Sequence, residues 1–121
     1  MAAKDELGRW GESHAAAFLA SAGYTIIDRN WRCEQGEIDV IANDGIDTVF
    51  VEVKTRSGLR FGHPLEAITP VKLARLRRLA LAWCEANPAG GHGRRSIRID
   101  AIAIVRRPGL PPVVEHLQRV Y

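Results

Sequence analysis

Gly36-Glu37-Ile38-Asp39-Val40-Ile41-Ala42 and Thr48-Val49-Phe50-Val51-Glu52-Val53-Lys54 flank the turn sequence Asn43-Asp44-Gly45-Ile46-Asp47, and together they decide the fold. Both runs alternate and are rich in β-branched residues, so they read as the two strands of a hairpin. Alternate residues of a strand share a face. Glu52 and Lys54 therefore point one way and Val51 and Val53 the other, while Ile38 and Val40 oppose Glu37, Asp39 and Ile41. A loop of Asp44 to Asp47 sets Asn43 opposite Thr48 and Asp39 opposite Glu52, with Cβ atoms about 5 Å apart. A five-residue loop would set Asp39 against Val51 and send the two acids to different faces, unless a bulge intervened.

Facing carboxylates repel unless a cation lies between them. Mg²⁺, with oxygen ligands at about 2.0–2.1 Å, suits such a pair and the phosphate chemistry of a partly open, hydrated site. Ile41 and Phe50 fall on the same predicted face, so that face is expected to be partly buried, where charges need partners. The alternation alone describes a solvated hairpin face equally well.

Outward from the hairpin, Leu7, Trp10, Ala15, Phe18, Leu19 and Ala22 recur at helical spacing over 5–22, and Gly23 supplies a stop. Tyr24 to Trp31 reads as a strand, and Thr55 to Ile68 as a loop. Thr69-Pro70 is an N-cap and first helical residue for a helix to about Ala86, ended by Asn87-Pro88. Strands follow over Ile97–Val105 and Val113–Leu117. The order α-β-β-β-α-β-β predicts one α/β domain over residues 1–121, a mixed five-stranded sheet flanked by helices.

Two further residues are out of place for a plain scaffold. Glu12 lies about 20° from Leu19 on the helical wheel, at the edge of the apolar stripe. It would sit where helix meets sheet, although a glutamate in the first half of a helix also suits the dipole. Lys72 falls inside the stripe of Leu76, Leu79 and Trp83, either snorkelling to water or aiming an ammonium at a phosphate. Arg75 and Arg78 flank it and suit backbone phosphates. His14, His63, His92 and His116 show no HxH or HExxH spacing.

The net charge of +3 conceals a divided chain. Residues 71–107 carry nine Lys/Arg against two Asp/Glu, net +7, and the remainder carries eight against twelve, net −4. This pairs a surface for a polyanion with a region that concentrates carboxylates. At 121 residues, 46% of them hydrophobic, a core can form without disulfides or structural metal. Cys33 and Cys84 form no CxxC pair, no apolar run approaches a membrane span, and the acidic N-terminus is unlike a signal peptide. A reduced, cytoplasmic setting is expected.

Gly11-Glu12, Gly36-Glu37-Ile38-Asp39, Val51-Glu52-Val53-Lys54-Thr55-Arg56, Phe61-Gly62 before a helix containing Lys72, and Arg98-Ile99-Asp100 occur in one order along nearly the whole chain. Together they resemble the YraN-like family, assigned to the PD-(D/E)XK (restriction-endonuclease-like) nucleases and similar to Holliday-junction resolvases. The resemblance implies a nuclease core with Asp39 as the first motif acid, Glu52-Val53-Lys54 as the second motif and Glu12 as a helix-borne acid. Ile38 stands where the motif has proline, which is not a ligand.

The expectation is hydrolysis of DNA phosphodiesters, selective for branched or junction structure and serving repair or recombination. Asp39, Glu52, the Val53 carbonyl and Glu12 would hold Mg²⁺ or Mn²⁺, and Lys54 would orient the attacking water. Arg56, Arg60, Lys72, Arg75 and Arg78 would hold the DNA backbone, and a homodimer would serve two strands. A silent nucleic-acid-binding module and a protein-interaction adaptor are the rival expectations.

Overall fold

The computed structural model describes residues 3–58, 62–88 and 96–121. Helix α1 (Ala3–Ser21) precedes β1 (Thr25–Cys33), β2 (Gly36–Asn43) and β3 (Thr48–Arg56). A 3₁₀ turn (Pro64–Ala67), α2 (Pro70–Ala86), β4 (Ile97–Val105) and β5 (Val113–Leu117) follow. The order is the expected one. The strands lie in the sequence β1-β2-β3-β4-β5, with only β3 and β4 parallel. A parallel neighbour requires a crossover, and α2 supplies it. Thr69 caps α2 as expected, its hydroxyl accepting from the Lys72 N–H.

The helices cover opposite faces of the sheet. Ala15 and Leu19 of α1 pack on Val40, Val49, Val51, Val53, Ile102 and Ile104. Leu76, Leu79, Ala80 and Trp83 of α2 pack on Ile38, Ile41, Phe50 and Ile99. Covered on both sides, β3 is buried without a break over residues 48–51 and β4 over 98–104, as central strands are.

The hairpin has the register that a loop of Asp44 to Asp47 predicts, from Asn43↔Thr48 to Val40↔Val51. Asp44 builds the turn, its Oδ1 accepting from the Ile46 and Asp47 N–H groups at 2.9 and 2.6 Å. Arg98 then pins this turn to the rest of the fold. Its guanidinium donates to Asp44 at 2.8 Å, to Tyr24 Oη at 2.6 Å and twice to Asp100 at 2.9 Å.

On β2, strict alternation fails between Ile38 and Val40. Val40 packs beneath α1 and Ile38 beneath α2, although the pattern predicts one face for both. The β1–β2 register passes from Arg29↔Val40 to Trp31↔Ile38, leaving Asn30 opposite Asp39. Asn30 has a left-handed backbone, φ 53°, which Asn tolerates better than most residues. The irregularity turns Asp39 away from Ile41 and Phe50 and toward α1. The expected grouping of Asp39 with that apolar face is corrected accordingly.

Candidate metal centre and phosphate cleft

A glycine lets α1 approach the sheet. A Cβ at Gly11 would lie 1.8 Å from Thr55 Oγ1 on β3, so no side chain fits there without moving the helix. The next residue, Glu12, is thereby set over the strand ends. Its Oε1 accepts from Asn30 Nδ2 at 2.8 Å, and the same amide lies 3.4 Å from Glu37 Oε1. Glu37 is held from its other side by Arg32.

Gly11→Ala is expected to destabilise the fold by about 1–3 kcal/mol through overpacking. Thr55→Ala in the same chain should restore only part, because the Thr55 Cβ would still lie 2.8 Å from the new methyl. Thermal denaturation of the single and double variants checks this.

The ladder between β2 and β3 ends at Val40↔Val51, and Asp39 uses the opening. Its Oδ2 accepts from the Val53 N–H at 2.9 Å. Across the same opening, Lys54 Nζ sits 3.2 Å from Glu52 Oε1. Glu12, Asp39, Glu52, Lys54, Arg56 and Arg106 all border one cleft of about 770 Å³. Carboxylate oxygens of Glu12, Glu37 and Asp39, one from each, lie within 4.8 Å of one another.

Such crowding is unfavourable when all the acids are ionised. Burial, with the Glu52 and Glu12 charges, pushes the Asp39 carboxyl up to about 8, against the opposing pull of the Val53 N–H and Lys54. A hard divalent cation relieves this repulsion, and an all-oxygen donor set on a part-exposed cleft suits Mg²⁺ or Mn²⁺. The residues therefore fit such an ion.

A carboxyl whose pKa is higher folded than unfolded binds more protons in the native state between pH 4 and 8. That contribution to stability is complete below pH 4 and lost as pH rises through about 8. Metal-free protein should therefore lose up to about 1.4 kcal/mol per pH unit from this group across the window. Mg²⁺ or Mn²⁺ should raise the melting temperature more at pH 8 than at pH 5. Thermal scans with EDTA or metal at the two pH values measure both effects.

Glu12, Asp39, Glu52, Val53, Lys54 and Arg56 are thus brought together as the sequence suggests. Lys72, Arg75 and Arg78 are not. They are exposed on α2 and line neither the cleft of Asp39 and Glu52 nor the one beside β1, and the Lys72 ammonium donates to the Ala67 carbonyl at 2.9 Å. Burial on α2 begins one turn later at Leu76, so Lys72 is not within the buried stripe. Arg60 lies outside the described residues.

Sequence reasoning missed Glu37 as a converging acid, Asn30 as the amide that holds it, and Arg106. Glu37 was the accessible one, since the pattern already places it on the face of Asp39. Arg106 arrives from the end of β4, where its N–H donates to the Arg56 carbonyl at 2.8 Å and its guanidinium lies 5.0 Å from the Trp10 ring centre.

Residues 11–104 match the family described as "Uncharacterised protein family UPF0102". The chain belongs to the UPF0102 family. It is 54% identical over 118 residues to a UPF0102 protein of Leifsonia xyli subsp. xyli, covering 97% of each chain. A UPF0102 protein of Frankia alni is 50% identical over 121 residues, covering 100% of this chain and 98% of its own. One from Acidothermus cellulolyticus is 45% identical over 126 residues, covering 98% and 96%. The family match takes in Glu12, Asn30, Glu37, Asp39, Glu52 and Lys54 but ends before Arg106.

Proposed function

We propose that this UPF0102 protein is a metal-dependent endonuclease of the restriction-endonuclease-like class that hydrolyses DNA phosphodiesters. The observation that carries the proposal is the meeting of Glu12 and Asp39 with the Glu52–Lys54 pair in one cleft, with a Glu37 carboxylate oxygen within 4.8 Å of theirs. Carboxylates beside a phosphate are unfavourable for plain binding, so a binder would gain nothing from them.

Glu12, Glu37 and Asp39, with Glu52 and the Val53 carbonyl beside them, would hold Mg²⁺ or Mn²⁺. When bound, that ion supplies Lewis acidity toward a phosphate oxygen and makes water a better nucleophile at neutral pH. Asp39 is fixed for this role by the Val53 N–H, and Glu12 and Glu37 by the Asn30 amide. Glu52 holds the Lys54 ammonium over the cleft. There Lys54 orients the attacking water and offsets negative charge growing on the phosphoryl oxygens.

Arg56 and Arg106 grip the backbone from the cleft wall. Backbone contacts give affinity and register with little sequence reading, which favours recognition of branched or junction DNA by shape. Two such chains would serve the two strands of a junction.

The test is cleavage of labelled four-way junction, flap and linear DNA in Mg²⁺ or Mn²⁺. Branched substrates should be cut by the wild type and left intact by Asp39→Ala and Glu52→Ala. Cleavage that survives both substitutions would remove the site assignment. Salt-dependent binding with no cleavage would instead support the silent module.

A further inference from the structure

Gly8 has no structural reason to be glycine. It lies inside α1, where glycine is among the least favourable residues. Its φ is not in the left-handed region, and a Cβ built there meets no atom within 4 Å. Gly11, one turn on, is the contrast, since Thr55 fills its Cβ position.

Gly8 does occupy a particular place. It borders the cleft that holds Asp39 and Glu52, and also a second cleft of about 520 Å³ beside β1. Glu12 borders both clefts as well. The missing side chain therefore leaves a notch between them, directly beside the converging acids. The second cleft carries Arg9 and Arg32 beside Asp5, Glu12 and Glu37, and Arg32 stays four-fifths exposed while paired to Glu37. Arginines thus flank the acids on both sides, Arg56 and Arg106 on one and Arg9 and Arg32 on the other. A chain of phosphates passing over the acids suits that order of charge.

We infer that a single DNA strand crosses α1 at the Gly8 notch and is gripped on both sides of the acid cluster, in a track open at both ends. This rests on the reading of the site as a nuclease and adds the path of the substrate and a role for Gly8, Arg9 and Arg32. An open-ended track needs no strand terminus. The bound strand can therefore lie in the interior of a chain or beside a branch point.

The experiment is competition binding in EDTA, read by fluorescence anisotropy of a labelled linear single strand. The strand is made longer than the ~4–16 nucleotides that such grooves hold. An unlabelled closed circular single strand of the same sequence should compete as well as its linear form. Gly8→Leu should weaken binding about tenfold or more without lowering the melting temperature, whereas Ala17→Leu, at an exposed position further along α1, should change neither. Arg9→Ala should reduce the slope of log affinity against log salt by about 1. Wild-type binding that excludes the circle, or that Gly8→Leu leaves intact, would overturn the track and leave the nuclease reading standing. Absence of binding by the wild type would overturn the track alone, since the nuclease reading stands or falls on cleavage in Mg²⁺ or Mn²⁺.

Discussion

Asp39→Asn is expected to lower metal-dependent cleavage by about three orders of magnitude, about 4 kcal/mol of transition-state stabilisation, while making the metal-free protein more stable at pH 8. The two effects have one source. Asp39 is held among Glu52 and Glu12, and burial with their charges raises its carboxyl to about 8. The neutral amide removes the repulsion yet keeps an oxygen to accept the Val53 N–H, so the local fold should persist. What it loses is the anionic ligand. Single-turnover cleavage and melting in EDTA at pH 8, run on the same preparation, read both changes. Loss of activity with loss of stability would mean that Asp39 serves the fold rather than the chemistry.

Asp100→Ala is expected to destabilise the protein by about 3–5 kcal/mol, as breaking one side of a buried ion pair does. Asp100 is fully buried. It accepts from Arg98 twice, from His116 Nε2 at 2.7 Å and from the Arg119 N–H at 3.1 Å. Burial works against its charge, but these partners hold its carboxyl below the ordinary value. Its removal takes from the Arg98 guanidinium, whose side chain is 4% exposed, two of its hydrogen bonds, leaving those to Asp44 and Tyr24, and frees His116 and the Arg119 N–H from β4. Urea unfolding should show a lower midpoint with an unchanged slope. The pH dependence runs opposite to that of Asp39. A depressed carboxyl stabilises above its unfolded pKa and loses that contribution as pH falls through the folded value. Metal-free protein should accordingly be most stable at mildly acid pH, between the loss of Asp100 below and the ionisation of Asp39 above.

Much of this was legible in the chain. The four-residue loop fixed the hairpin register because Asp44 supplies the turn's hydrogen bonds from its own side chain. Thr69-Pro70 and the Ile97–Val105 and Val113–Leu117 runs marked their elements directly. The face of Asp39 was not legible, because alternation assumes a regular strand, whereas Ile38 and Val40 pack on opposite faces of this one, beside the left-handed Asn30 of β1. Arg106 was hidden for another reason. Its position depends on β4 lying parallel beside β3, a consequence of the α2 crossover that no local pattern reveals. The basic segment misled in part. Its arginines on α2 raise the local charge, but the arginines at the acids come from α1, β1, β3 and the end of β4.

The proposed chemistry requires Glu12, Glu37 and Asp39 to form a divalent-cation site. Mn²⁺ binding, followed by electron paramagnetic resonance of the unbound ion at pH 8, tests it most directly. The wild type should deplete unbound Mn²⁺, Mg²⁺ should displace the bound ion, and Asp39→Asn should bind at least about tenfold more weakly. Wild-type protein that leaves the Mn²⁺ signal unchanged, or Asp39→Asn that binds as the wild type does, would contradict the account.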